Sequence, residues 1–256
     1  MKPLCDFFTS FGLNLVALVL CFISSGSAQP AANTPVERIT EGIQALYFFQ
    51  EGEGSVVSDV SGVGEPLNLD IANVGRVRWF RGGGLEITQP TFVHTSSPAT
   101  KLIEACQDTD EITLEAWIRP ATINQNGPAR IITLSQTRTE SAALLGQTSN
   151  TSNYEYLTRF NTSGNNSYGA PAFTIQEPYE ELQIQHVVFT HAADGTEKIY
   201  IDGQEVASQT RMGTTSSWRN DYQLGLANEV GGDRPWLGTY YMAAIYDQAI
   251  SPQQVQ

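Results

Sequence analysis

The sequence predicts an all-β protein in which two antiparallel sheets stack as a sandwich. Its clearest sign is the tract from His186-Val187-Val188-Phe189-Thr190 to Ile199-Tyr200-Ile201-Asp202-Gly203-Gln204-Glu205-Val206, which holds a strand, a loop, a second strand and an Asp-Gly turn into a third. Asp-Gly between apolar, β-branched runs is a strong hairpin signal, because both central residues of a type I′ turn need positive φ. From Ile39 onward, short apolar runs are interrupted at close spacing by Gly, Asn, Asp, Ser and Pro, with almost no helical periodicity. Many short strands with turns between them indicate a sandwich or barrel, not a parallel α/β sheet. The length also suits one sandwich, since such domains run to roughly 200–250 residues.

Residues 1–28 have the order of a secretory leader. Lys2 supplies a basic start, Phe11 to Ile23 is an apolar run broken only by Gly12 and Asn14, and Gly26-Ser27-Ala28 offers small residues for cleavage. The run is short of the roughly 20 apolar residues that span a bilayer, so no membrane insertion is expected once the leader is removed. Residues 29–38, QPAANTPVER, form a polar, proline-containing stretch expected to be a disordered spacer. The domain then occupies 39–256. Strands are predicted at 45–49, 77–80, 85–88, 112–118, 131–134, 156–160, 172–175, 186–190, 198–201, 222–226 and 240–246. Residues 147–166 are rich in Ser, Thr and Asn and are expected to be loops around a strand. At the end, Ser251 and Pro252 suit the N-cap and first position of a helix that the sequence stops one turn into.

The net charge is −13, and the leader contributes only Lys2 and Asp6, so processing leaves it unchanged. Nucleic-acid phosphates and anionic headgroups would be repelled by such a chain. Cys5 and Cys21 leave with the leader. Cys106, alone among apolar neighbours, is then expected to be a structural, unpaired thiol.

Four segments together resemble the laminin-G-like jelly-roll domain of the concanavalin A-like lectin/glucanase superfamily. They are ALYFFQEGEGSVVSDVSG at 45–62, ITLEAWIRP at 112–120, QHVVFTHAADGTEKIYIDGQEVA at 185–207 and RPWLGTYYMAAIYDQAIS at 234–251. The resemblance implies a jelly roll with one concave face, usually carried as a module of larger extracellular proteins. Many relatives carry acidic residues just after the glycine-containing turn of the closing strand, where this sequence has Tyr240, Tyr241 and Met242.

Glycosidases on this fold place carboxylates at alternate positions of one strand, and retaining hydrolysis needs two of them about 5–5.5 Å apart. Glu111, Thr113 and Glu115 have that phase, with Thr where such enzymes resemble one another in having Asp. Four strand residues cover ~13 Å at the Cα level, so Glu111 and Glu115 would have to lean together. The plainer expectation is that Glu111 caps the strand in solvent and Glu115 makes a structural hydrogen bond beside Trp117. Calcium is the fold's usual cofactor and takes roughly six to eight oxygen ligands. Asp59 and Asp233 are its candidate ligands, with Asp221 and Asp247 in segments that could join them, although each also suits a turn.

His186 and His191 fall on opposite strand faces, predicting a structural His186 and an exposed His191, and His94 has no metal spacing with either. Arg81-Gly82-Gly83-Gly84 lacks the Lys-Ser/Thr of a phosphate loop and is expected to be a turn. Asn150, Asn161 and Asn165 each begin an Asn-x-Ser sequence. Tyr154, Tyr156, Tyr168, Tyr179, Trp218 and Trp236 lie in or beside polar segments where rings can stack on sugars, and Trp236 and Trp218 are the chosen contacts. The reading is a secreted, monomeric, non-catalytic carbohydrate-binding or adhesion module at the cell surface or beyond. The alternatives are a glycan hydrolase or lyase on the same fold, and a structural spacer of a surface protein.

Overall fold

The computed structural model describes residues 39–149, 153–161, 164–167, 169–175 and 182–256. The predicted leader and spacer, Tyr168, Tyr179 and Asn150 lie outside the described residues. The strands are β1 (Ile43–Tyr47), β2 (Val56–Val57), β3 (Leu69–Ile71), β4 (Val77–Trp79), β5 (Leu85–Ile87), β6 (Val93–Thr95), β7 (Ile112–Pro120) and β8 (Ala129–Thr137). They continue as β9 (Glu140–Gln147), β10 (Tyr154–Thr158), β11 (Phe173–Thr174), β12 (Gln185–His191), β13 (Thr196–Ile201), β14 (Gln204–Thr210), β15 (Gln223–Leu226) and β16 (Gly238–Tyr246). Helix α1 spans Thr100–Thr109 and α2 spans Pro252–Val255.

Two antiparallel sheets result. Sheet I runs β14-β13-β12-β7-β16-β5-β4, and sheet II runs β11-β10-β9-β8-β15-β6-β3-β2. β16 pairs with β7 along its length, while its other flank takes β5 near Gly238 and β1 near Tyr246. Alternation places Leu114, Ala116, Val187, Phe189, Ala243 and Ile245 of sheet I in one cluster with Ile132, Leu134, Leu145, Leu224 and Leu226 of sheet II. That cluster is the sandwich core, and its two inner faces follow from the period of two along each strand. A second apolar cluster lies on the outer face of sheet I. There Ile250 and Val255 of the C-terminal segment pack with Leu46, Val188, Met242, Ala244 and Tyr246. The α2 N-terminus is capped as predicted, with the Gln254 side chain accepting from Ser251 N at 2.7 Å.

The hairpin between β13 and β14 forms at the predicted turn, with Asp202 at φ 50° and Gly203 at φ 78°. Asp202 also accepts from His186 N at 2.8 Å through its carboxylate, which ties the turn to the start of β12. Left-handed backbone at Gly203 excludes a β-branched residue without strain. Gly203→Val is expected to lower stability by about 1–3 kcal/mol, read from denaturant unfolding. An unchanged midpoint would contradict the turn's strain.

Three sequence expectations are corrected. A helix, α1, stands where almost none was expected; Leu102, Ile103 and Cys106 form its buried stripe and Asp110 closes it at φ 55°. Ten residues without a side-chain N-cap give little pattern to detect. Strand β9 was also missed, because ESAALLGQ is buried on both faces and shows no alternation. His191, expected to be exposed, is fully buried against Phe160, with its Nδ1 3.3 Å from Glu197 Oε1. Burial pushes the Glu197 carboxyl up, but His191, Arg211 and Gln209 outweigh it and hold the group below its ordinary range. Cys106 is a free, buried thiol, and burial together with the Asp247 charge pushes its ionisation well up.

Candidate functional site

The two tryptophans chosen as sugar contacts are core residues. Trp236 is fully buried against Tyr240, and its indole N–H donates to Gln147 Oε1 at 3.0 Å. Trp218 is 4% exposed and donates to Arg159 O at 2.6 Å. Each indole found an acceptor far away in sequence, which removes the reason for keeping its polar edge in water. Tyr154 and Tyr156 are buried too. None of these four rings offers a face to a ligand.

The tryptophan that does face solvent is Trp117, 42% exposed, on the outer face of β7. Glu111, Thr113, Glu115 and Trp117 share that face, because Ile112, Leu114, Ala116 and Ile118 take the core face. The Trp117 ring stacks on His186 of the neighbouring strand, with centroids 4.6 Å apart and planes 15° from parallel. Beside it opens a cleft of about 210 Å³ lined also by Asp202, Gly203 and Gln204 of the hairpin turn and by Val255 and Gln256. Two independent elements, a tight turn and a capped helix, therefore frame an aromatic platform. The sequence carried the signal: two residues beyond Glu115 on a strand means the same face.

The carboxylates on that face do structural work. Glu115 is buried, with Oε1 2.9 Å from His186 Nε2 and Oε2 accepting from the Tyr246 hydroxyl at 2.9 Å. Glu111 does not cap the strand in solvent as expected; it accepts from Ala193 N at 3.2 Å and Ala249 N at 2.8 Å, clasping two loops. Between them the Thr113 hydroxyl donates to Gln248 O at 2.6 Å. Both carboxylates that retaining hydrolysis would call on are thus engaged in structural hydrogen bonds, Glu111 to the segment after β16 and Glu115 within sheet I.

The calcium candidates do not fit a calcium ion. Asp59 Oδ1 accepts from Leu46 N and Ser61 N, at 3.1 and 2.9 Å, and Oδ2 accepts from Leu67 N at 2.9 Å and Lys101 Nζ at 3.1 Å. Burial pushes the Asp59 carboxyl up, but these backbone donors prevail and keep it below its ordinary range. Asp233 is exposed and lies between Arg138, at 2.9 Å, and Arg234, at 3.8 Å. Asp221 pairs with Arg219 and Gln136, and Asp247 with Gln44. Among the described residues no three His, Cys, Asp or Glu side chains converge on a point that could hold a metal.

A second cleft, of about 310 Å³, lies over the outer face of sheet II and is lined by Pro128, Arg130, Arg138, Thr139, Leu157 and Arg234. Its floor is organised by a buried ion pair, Arg130 Nε to Glu229 Oε2 at 2.8 Å. Glu229 also accepts from Ser135 Oγ and from Val230 N. The loop between β15 and β16 is further pinned by Arg130 N donating to Arg234 O at 3.0 Å and Arg234 N to Asn228 Oδ1 at 2.9 Å. Glu155 stands on the same strand row as Arg130, across Gly146; burial raises its carboxyl and Arg130 opposes the rise. Three arginines spread over more than 100 residues gave no local motif, so this cleft was not visible in the sequence.

Two stacked antiparallel sheets with open clefts on their outer faces define a jelly-roll sandwich. The chain belongs to the concanavalin A-like lectin/glucanases superfamily, whose laminin-G-type family model matches residues 94–256. No curated protein matches the sequence significantly. Several solved structures share the fold at low identity. Domain 4 of AbnA, a GH43 extracellular arabinanase from Geobacillus stearothermophilus, in complex with arabinotriose, has a TM-score of 0.57 at 17% identity, covering 83% of this chain and 96% of that one. Trypanosoma rangeli sialidase in complex with sialic acid has a TM-score of 0.59 at 16% identity, covering 84% of this chain and 32% of that one. Botulinum neurotoxin type C, a protein that interacts with two ganglioside molecules, has a TM-score of 0.58 at 13% identity, covering 84% of this chain and 50% of that one. The chain therefore spans half of the toxin chain and about a third of the sialidase chain. Among the described residues no helix is long and apolar enough to cross a membrane.

Proposed function

We propose that this domain is a secreted, non-catalytic carbohydrate-binding module that holds a neutral sugar against Trp117. The observation that carries this reading is the half-open indole face beside Asp202 and Gln204, an arrangement that pairs an apolar platform with hydrogen-bonding groups at its edge. Adhesion or surface recognition through a glycan follows from the same chemistry. The engagement of Glu111 and Glu115 in structural hydrogen bonds supports the absence of glycan cleavage.

A screen of soluble neutral oligosaccharides followed by calorimetry should find weak binding that is lost on Trp117→Ala while the melting profile persists. Failure of every neutral glycan to bind would favour the spacer reading instead. Release of reducing ends from a glycan, abolished by Glu115→Gln, would overturn the non-catalytic reading. Export is proposed from the leader pattern of residues 1–28, and the exported protein should begin at Gln29 by mass spectrometry. An exported chain retaining Met1 would contradict it.

A further inference from the structure

We propose that the arginine-lined cleft over sheet II binds the carboxylate of an acidic saccharide, at a site separate from the Trp117 platform and independent of it. The sequence has 14 lysines and arginines against 27 acidic residues, yet three arginines from two distant segments meet around this one cleft. Their guanidinium groups are only partly engaged. Arg138 and Arg234 each use Nη1 alone, both toward Asp233. Arg130 uses Nε for Glu229 and Nη1 for Pro128 O. The remaining nitrogens, Arg130 Nη2 and the Nε and Nη2 of the other two, make no hydrogen bond among the described residues.

Charge counting gives the same sign. Glu229 and Asp233 balance two of the three guanidinium groups. Glu155, on the same strand row as Arg130, is a carboxyl that burial pushes up, with Arg130 opposing the rise. A guanidinium with free donors in a partly desolvated cleft is suited to a planar oxyanion, which it can grip with two parallel hydrogen bonds. The rest of the lining, Pro128, Leu157 and Thr139, provides the apolar wall and single hydroxyl that suit a sugar ring. A volume of about 310 Å³ sits at the small end of ligand pockets, which begin near roughly 300 Å³.

The site is also built rather than incidental. The buried Arg130–Glu229 pair, the hydrogen bond from Arg130 N to Arg234 O and that from Arg234 N to Asn228 Oδ1 fix the loop that carries Asp233 and Arg234. The net charge of −13 selects among anions: a densely charged polymer would be repelled by the whole chain, whereas an isolated carboxylate feels mainly the local guanidinium groups. The ligand class is therefore a sparsely charged, carboxylate-bearing saccharide, not a heavily sulfated one.

The test is calorimetry with an otherwise neutral oligosaccharide that carries a single uronic acid residue, its carboxyl-reduced neutral counterpart and a densely sulfated oligosaccharide of similar length. The carboxylated oligomer should bind, and the other two should bind at least about tenfold more weakly, the size expected for loss of one charge-assisted hydrogen bond. Arg138→Gln and Arg234→Gln, both at partly exposed side chains, should each weaken that binding about tenfold. Asp233→Asn, which removes the carboxylate charge beside Arg138 and Arg234, should strengthen it. All titrations are run in the Trp117→Ala background, which removes the neutral-sugar platform and leaves this cleft as the site measured. Equal binding of the carboxylated and reduced oligomers, tighter binding of the sulfated one, no binding of the carboxylated oligomer, or indifference to both arginine variants would each overturn the proposal.

Discussion

Arg130→Met is expected to destabilise the domain by about 3–5 kcal/mol, the range for removing one partner of a buried ion pair. Arg130 and Glu229 side chains are 3% and 0% exposed, so the orphaned carboxylate cannot reach water without opening the loop between β15 and β16. Ser135 Oγ and Val230 N would still donate to it, but no cation would remain at its side. The double variant Arg130→Met/Glu229→Gln keeps acceptors for those donors and removes the stranded charge. It should recover a large part of the loss, because a buried ion pair is itself offset by desolvation. Urea unfolding of the single and double variants measures both effects. A single variant within about 0.5 kcal/mol of the parent, the range of ordinary surface changes, would mean that the pair is solvated in solution.

Asp59→Ala should cost about 3–5 kcal/mol, since three backbone donors, Leu46 N, Ser61 N and Leu67 N, lose a charged acceptor together with the Lys101 ammonium. These donors tie β1 to the segment between β2 and β3. The pH dependence has a definite sign. A carboxyl held below its unfolded value contributes stability that is fully present above the unfolded value, near pH 3.9 or roughly 4, and is lost as pH falls through the folded value. The stability difference between parent and Asp59→Ala should therefore be constant near neutrality and shrink below about pH 4. Because every Asp59 oxygen already has two donors, calcium or a chelator should leave the melting temperature unchanged. A calcium-dependent rise that disappears in Asp59→Ala would show that the carboxylate turns to a metal instead.

Much of the fold was legible because it depends on short-range chemistry. Asp202-Gly203 announces its own turn, and the alternation of Ile112, Leu114, Ala116 and Ile118 announces a strand with one core face. Ser251 and Pro252 announce a helix start. Strand β9 and helix α1 were hidden for opposite reasons: one is buried on both faces and the other is too short and lacks a capping side chain. The sheet order was not legible, since pairing of β16 with β7, β5 and β1 rests on contacts across most of the chain.

The candidate site was half legible. Trp117 shares a face with Glu115 by strand period alone, so its orientation was available from ITLEAWIRP. Polar neighbours made Trp218 and Trp236 look exposed instead, and only their distant acceptors, Arg159 O and Gln147 Oε1, reveal them as core. The same long-range logic hid the sheet II cleft, whose arginines meet only because β8 pairs with β15 and receives its following loop.

The most direct test of the neutral-sugar reading is a saccharide titration followed through the indole N–H resonances of the four tryptophans, assigned by single Trp→Phe substitutions. The Trp117 signal should shift with saturation by a bound neutral oligosaccharide, while those of the buried Trp218 and Trp236 stay in place. Binding that moves the Trp218 or Trp236 signals and leaves Trp117 unmoved would contradict the account.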